Sequence, residues 1–229
     1  MQFQEVKDLI LAQPGFDRTL LSASRPPRWG LVVATAPRPV SFDFIKAGTN
    51  KLIFRIVDTE WVICIQNNER TKPEIAKLDF EGEVKALAEL GKQDIRVPHP
   101  FMATDGVLPQ DTMFQIQVHN EDSGIDARVY AIIMEFLDFA NVYKEMDKQE
   151  PQEAFIKSCL SLPSAGEHVQ ATRDSFQLIK RAWEQKPWNN FQVAYNILDG
   201  TLLVFDPMAG QVVNKEKVDR ILQKWSEDL

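Results

Sequence analysis

A chain of 229 residues with 44% hydrophobic and 26% charged content is long enough to bury a sizeable core, in one large domain or two packed lobes. A net charge of −7 opposes a phosphate-tracking surface, so no nucleic-acid partner is expected. Two lone cysteines (Cys64, Cys159) and three scattered histidines (His99, His119, His168) provide neither a disulfide framework nor a zinc spacing.

Apolar residues at helical spacing over Phe3 to Leu21 predict a short helix broken at Pro14-Gly15, and Arg25-Pro-Pro-Arg28 a loop. Strands rich in β-branched and aromatic residues follow at Trp29 to Thr35, Phe42 to Ile45, Lys51 to Val57 and Glu60 to Gln66, the last two joined by a hairpin at Asp58-Thr59. A helix is expected from Pro73 to Leu90, then a hairpin of Phe114 to Val118 and Val129 to Leu137. Beyond Asp138 the pattern turns helical: Ala140 to Met146, Glu153 to Leu160, Arg173 to Trp183 and finally Lys215 to Trp225, with strand only at Ile197-Leu198 and Leu202 to Phe205. The expectation is an α+β fold of two lobes: a β-rich one over 1–137 with an N-terminal extension, and a reduced helical one over 138–229. No run reaches the ~18 apolar residues of a spanning helix, and Met1 to Asp8 lacks a signal-peptide layout. A cytoplasmic protein is expected, in the producing cell or in a recipient cell.

Chemistry concentrates in Asn196-Ile-Leu-Asp-Gly-Thr-Leu-Leu-Val-Phe-Asp206-Pro: an Asn, a turn at Asp199-Gly200, an apolar strand and a terminal Asp. A kinase holds magnesium against a nucleotide's phosphates with such a pair. Earlier, Gly48 stands between two strands, as a phosphate-approaching glycine loop requires, and Glu60-Trp-Val-Ile-Cys-Ile-Gln66 stands where the third kinase strand would. The helix segment Phe80-Glu-Gly-Glu-Val-Lys-Ala-Leu87 and the strand ending Ile133-Met-Glu-Phe-Leu137 follow in kinase order. On these residues the chain resembles the protein-kinase-like superfamily over roughly residues 40 to 225. It is similar to the compact kinases of bacteriophages and type III secretion effectors. The specificity lies in the order of the motifs, since none is intact.

The resemblance implies a bilobal kinase-like fold, with ATP and magnesium bound between the lobes and the adenine against Glu135 to Leu137. Its departures carry the mechanism. Cys64 stands where the strand-three Lys belongs, and a thiol supplies no ammonium charge. The with-no-lysine kinases make this exchange and draw a Lys from the glycine loop, which matches Gly48-Thr-Asn-Lys51. Lys51 then holds phosphates and Glu83, or Glu81 two positions earlier, is its ion-pair partner. The alternative is an ordinary hairpin Lys51 and a buried, small, hydrophobic Cys64.

The catalytic loop should place an Asp five residues before Asn196, but Phe191 stands there. Asn190 reaches the base position with a one-residue insertion, yet a carboxamide at best orients a hydroxyl. General-base help is worth about 10²- to 10⁴-fold in typical enzymes, whereas positioning and electrostatics carry most of phosphoryl transfer. Asn196 and Asp206 remain as the magnesium ligands; the competing reading has Asn196 with Asp199-Gly200 forming a turn and Asp206 capping a strand. The expected function is a degenerate, pseudokinase-like protein that binds ATP and magnesium and acts through a protein partner, as a viral or bacterial modulator of host proteins. An active atypical kinase or nucleotidyl transferase is the alternative, and a non-nucleotide interaction protein the second. Trp183, Trp188 and Trp225 read as core residues.

Overall fold

A computed structural model describes residues 3–11, 16–21, 28–32, 41–47, 51–67, 73–99, 112–120, 125–138, 142–146, 151–209 and 214–229. The protein is mixed α+β, with antiparallel sheet and several helices. It divides into two compact units: Met1–Glu81 with Leu108–Phe136, and Gly82–Val107 with Leu137–Leu229.

The first unit opens with helix α1 (Phe3–Leu11), whose Phe3, Val6 and Ile10 are buried along one face. The Phe3 ring meets Trp61 edge-on at 5.7 Å. Strands β1 (Phe16–Leu21), β2 (Arg28–Val32), β3 (Ser41–Ala47), β4 (Lys51–Ile56), β5 (Trp61–Gln66), β6 (Met113–Asn120) and β7 (Ile125–Glu135) close into a barrel in the order β1-β2-β3-β4-β5-β7-β6. Neighbours are antiparallel except β1 and β6, which run parallel and close it. The helix expected to run to Leu21 therefore stops at Leu11, and its second half is strand. Pro14-Gly15 separates the two, and long-range ladders to β2 and β6 decide a segment whose apolar spacing fits either structure.

Alternation along β4 is clean: Leu52, Phe54 and Ile56 are buried while Lys51, Ile53 and Arg55 are not. Central strand β5 is buried on both faces. Between β5 and β6 lies α2 (Pro73–Gly91), carrying a buried stripe of Phe80, Val84, Leu87 and Leu90. From Gly82 onward this helix belongs to the second unit.

The second unit contains β8 (Tyr143–Glu145), a 3₁₀ turn (Gln152–Ala154), α3 (Phe155–Leu160), α4 (Ala165–Gln185), β9 (Val193–Asn196), β10 (Leu202–Val204) and α5 (Lys215–Asp228). Its sheet has the antiparallel order β10-β9-β8. Two expectations change here. Tyr143 to Glu145, expected as helix, is strand, because it pairs with β9 and Tyr143 is buried in a core of Leu137, Ala194 and Leu203. The first strand of the late hairpin begins at Val193 rather than at Ile197, with Val193, Ala194 and Tyr195 fully buried. A second core is aromatic. Trp183, Trp188, Phe191, Trp225, Phe155 and Phe176 are linked by ring contacts of 5.1–6.4 Å.

Candidate functional site

In the first unit the register of one hairpin decides what Lys51 can do. Lys51 lies opposite Gln66 and Ile53 opposite Cys64. Directly opposed residues point to the same side, so Lys51 and Cys64 share a face as diagonal neighbours, about 7–8 Å apart. A one-residue slip would have put them on opposite faces. A β-bulge between Phe44 and Lys46 turns Lys46, opposite Ile53, to that same face. Sequence alternation missed Lys46 because the bulge breaks its parity. Gly48 lies outside the described residues. Glu135 ends β7 opposite Trp61, and the next amide, Phe136 N–H, donates to Glu60 O at 2.8 Å. Arg55 stacks over the Phe136 ring at 4.5 Å. A shallow depression of 610 Å³ sits by Asp43, Arg55, Asp58 and Glu60. Its three carboxylates make it a poor seat for phosphates, and Lys51 does not line it.

The other expected residues lie in the second unit. Glu83 is only 3% exposed, on the apolar stripe of α2, where a carboxylate must be partnered to be tolerated. Glu81, by contrast, is half-exposed and pairs with Lys77 at 3.5 Å. Of the two, Glu83 is the buried acid. Ala209 N–H donates to Gly82 O at 3.2 Å, so the segment just after Asp206 runs beside the turn of α2 that carries Glu83. Leu137 is a core residue, packed with Tyr143, Ala194 and Leu203.

The β9–β10 hairpin places Asn196 and Asp206. Tyr195 faces Leu202 and Val193 faces Val204, and the same register continues to an Asn189–Met208 bridge. Asn196 is thus at the turn end, and Asp206 lies past the open end, across from Phe191. Five residues of chain separate their levels, about 16 Å at ~3.3 Å per residue. One magnesium cannot hold both from there, because its ligands sit at about 2.0–2.1 Å. The expected Asn196–Asp206 pair is therefore not brought together. Asn196 serves its own turn instead: its Oδ1 accepts Leu198 N–H at 3.0 Å, its N–H donates to Thr201 O at 2.9 Å, and its carbonyl accepts Gly200 N–H at 2.8 Å.

That turn is clipped to α4. Thr172, fully buried, donates its hydroxyl to Gly200 O at 2.8 Å, and Ser175 Oγ accepts Leu202 N–H at 2.9 Å. Gly200 has φ +74, and a Cβ on it would stand 2.3 Å from His168 Cβ. Beneath the turn, burial pushes the Tyr195 phenol pKa up, and the nearby Thr172 hydroxyl works against the rise; Cys159 and Asp199 add to it.

At the open end Asp206 meets Asn190. Both have left-handed backbones, φ 53 and 54, a region where Asn and Asp are the commonest non-glycine residues. Asn190 Nδ2 donates to Asp206 Oδ2 at 2.9 Å and to its main-chain O at 2.6 Å, while Gln192 Nε2 donates to Asn190 Oδ1 at 2.7 Å. Phe191, between them in sequence, turns into the aromatic core, contacting Trp183 at 5.4 Å and Trp225 at 5.9 Å. The position expected to hold a general base is thus a packing position. Among the described residues no three His, Cys, Asp or Glu side chains gather into a metal-holding group, and no helix is long and apolar enough to cross a membrane.

No protein-family model matches the chain, and no curated protein matches it.

Proposed function

We propose that this protein binds ATP with magnesium on a bilobal, kinase-like fold whose catalytic loop has lost its base, and that it acts through a protein partner rather than by turnover. In this reading Lys51 supplies the charge for the phosphates, Asp206 a carboxylate for magnesium, and Glu83 is the buried acid of α2. The observation that carries the reading is the β4–β5 register, which sets Lys51 on the face of Cys64, as a loop-lysine exchange requires. The chain order supports it: a hairpin, the strand of Cys64, a helix with a buried Glu, then a second hairpin. Phe191 in the aromatic core supports binding over transfer, because any carboxylate at that position would have to enter an apolar cluster.

The test is the melting temperature with and without magnesium-ATP, together with incubation with labelled ATP. A rise in melting temperature without transfer of γ- or α-label supports the proposal. Transfer of γ-label to protein supports an active kinase, and transfer of α-label a nucleotidyl transferase. The second reading is a non-nucleotide α+β interaction protein, favoured by one observation: Asn196 is engaged in its own turn, remote from Asp206. Absence of any nucleotide shift, with or without magnesium, would select it.

A further inference from the structure

We propose that the chain cuts its own backbone between Asp206 and Pro207, with the Asp206 carboxyl as nucleophile and the Asn190 amide as the donor that stabilises the oxyanion. The cut stands apart from the nucleotide reading, because it uses only the two carbonyl groups of Asp206, the proline that follows and one neighbouring amide. The Asp206–Pro207 linkage is held out of its preferred shape. A proline ring drives the residue before it toward extended conformations, yet Asp206 has φ 53. The chain is pinned on both sides of the bond: Phe205 N–H donates to Gln192 O at 3.3 Å, and Met208 and Asn189 exchange hydrogen bonds of 2.8 and 3.0 Å. Strain held in this way cannot relax by sliding, and breaking the bond releases it.

The same bond is already polarised. Asn190 Nδ2 donates to the main-chain O of Asp206 at 2.6 Å and to its Oδ2 at 2.9 Å. Nucleophile and target carbonyl are therefore gathered on one donor, which lies where negative charge develops. Gln192 Nε2 donates to Asn190 Oδ1 at 2.7 Å, which turns the amide nitrogen rather than its oxygen toward Asp206. Asn190 is exposed, so water reaches the pair.

A carboxyl oxygen of Asp206 adds to the main-chain carbonyl carbon of the same residue and closes a five-membered ring. The carbonyl oxygen carries the negative charge beside Asn190 Nδ2. The C–N bond to Pro207 then breaks; the nitrogen keeps the electron pair and takes the proton that the carboxyl gives up. Proline nitrogen has no hydrogen of its own, so it leaves as a secondary amine. Water opens the cyclic anhydride left on Asp206, a hydroxyl going to one carbonyl and a proton to the ring oxygen, which gives two carboxyl groups. One water is consumed and nothing is oxidised or reduced. The piece after the cut carries α5, whose Val218, Ile221, Leu222 and Trp225 are buried, and Trp225 Nε1 donates to Gln152 O at 2.9 Å. The product is a nicked protein that stays together until it is denatured.

The test incubates the purified full chain in mildly acidic buffer made with oxygen-18 water, at a pH where circular dichroism shows it folded, and reads masses after denaturation. The wild type should yield fragments 1–206 and 207–229, with one heavy oxygen shared between the two carboxyl groups of Asp206, since water can open the ring at either carbonyl. Asp206→Gly keeps a residue at ease in the left-handed backbone and should not be cut. Asn190→Gly should be cut about 10²-fold more slowly, the scale of losing one oxyanion donor. The wild type unfolded in urea at the same pH should also be cut more slowly than the folded chain, because an unfolded Asp–Pro bond has neither the strain nor the amide. An intact wild type overturns the proposal, as does equal cutting of the folded and unfolded chain. Heavy oxygen confined to the new main-chain carboxyl overturns the nucleophile, and wild-type cutting of a folded Asn190→Gly overturns the role of the amide.

Discussion

The two ends of the β9–β10 hairpin are built for different purposes. The turn end is locked: Gly200 sits against His168, Thr172 and Ser175 bond its backbone, and Asn196 is engaged in its own turn. The open end concentrates polar side chains on strained backbone, where Asn190 and Asp206 both adopt left-handed φ values and bond each other. Such strain costs roughly 1–3 kcal/mol per residue and gathers where a site has to be held in shape. The polar side chains on unusual backbone therefore gather at the open end, and an asparagine at the expected spacing is not enough to place a ligand.

The largest expected effect lies at the open end. Phe191→Asp supplies the acid that the proposed kinase-like reading finds missing, but removes a ring from the aromatic core and buries a charge there. It should cost about 3–5 kcal/mol in urea unfolding, and label transfer from ATP should not rise. A variant that folds normally and transfers label would show that the core at Phe191 is dispensable. Next comes the turn end. Gly200→Ala puts a Cβ into His168 on a backbone with φ +74, and about 2–5 kcal/mol should be lost by the same measurement. A loss below about 1 kcal/mol would mean the turn is not locked. Thr172→Val leaves the Gly200 carbonyl without its donor and should cost about 1–3 kcal/mol.

The smallest effect concerns the rim of the aromatic core. Asp219 accepts from Lys215 Nζ at 2.7 Å and from Trp183 Nε1 at 2.8 Å, which hold its carboxyl below the usual range, the Lys215 bond contributing most. A carboxyl with a depressed folded pKa stabilises above its unfolded pKa, near 3.9, and loses that contribution as pH falls through the folded value. Asp219→Asn should therefore lower stability at neutral pH by about 0.5 kcal/mol, given that the pair is solvent-screened, and the difference from wild type should vanish in acid. A constant difference from pH 7 to pH 2 would contradict this.

Where strands pair with close neighbours in sequence, the fold was legible. The β4–β5 and β6–β7 hairpins stand out by alternation and turn residues, and α2 by its stripe. Segments whose partners are distant were not. β1 pairs with β6 just over a hundred residues on, and β8 with β9 some fifty on, so local spacing cannot choose strand over helix there. The site shows the same divide. That Glu83 rather than Glu81 is the inward acid follows from burial, and burial depends on how α2 packs. The hairpin register could not be read from Val193-Ala-Tyr-Asn-Ile-Leu198, because five of six residues are apolar or aromatic and several alignments bury them equally well. Tyr195 beneath the turn and the Thr172 and Ser175 clips from α4 are what select the register, and with it the partner of Asp206.

The most direct test of the nucleotide reading is calorimetric titration of ATP, with magnesium, into the wild type and into Lys51→Ala. Removing one charge-assisted contact to phosphate costs about 1.5–3 kcal/mol, so the variant should bind about 10- to 100-fold more weakly with its melting temperature unchanged in the absence of nucleotide. Equal affinity in the two proteins, or no heat of binding in either, would contradict it.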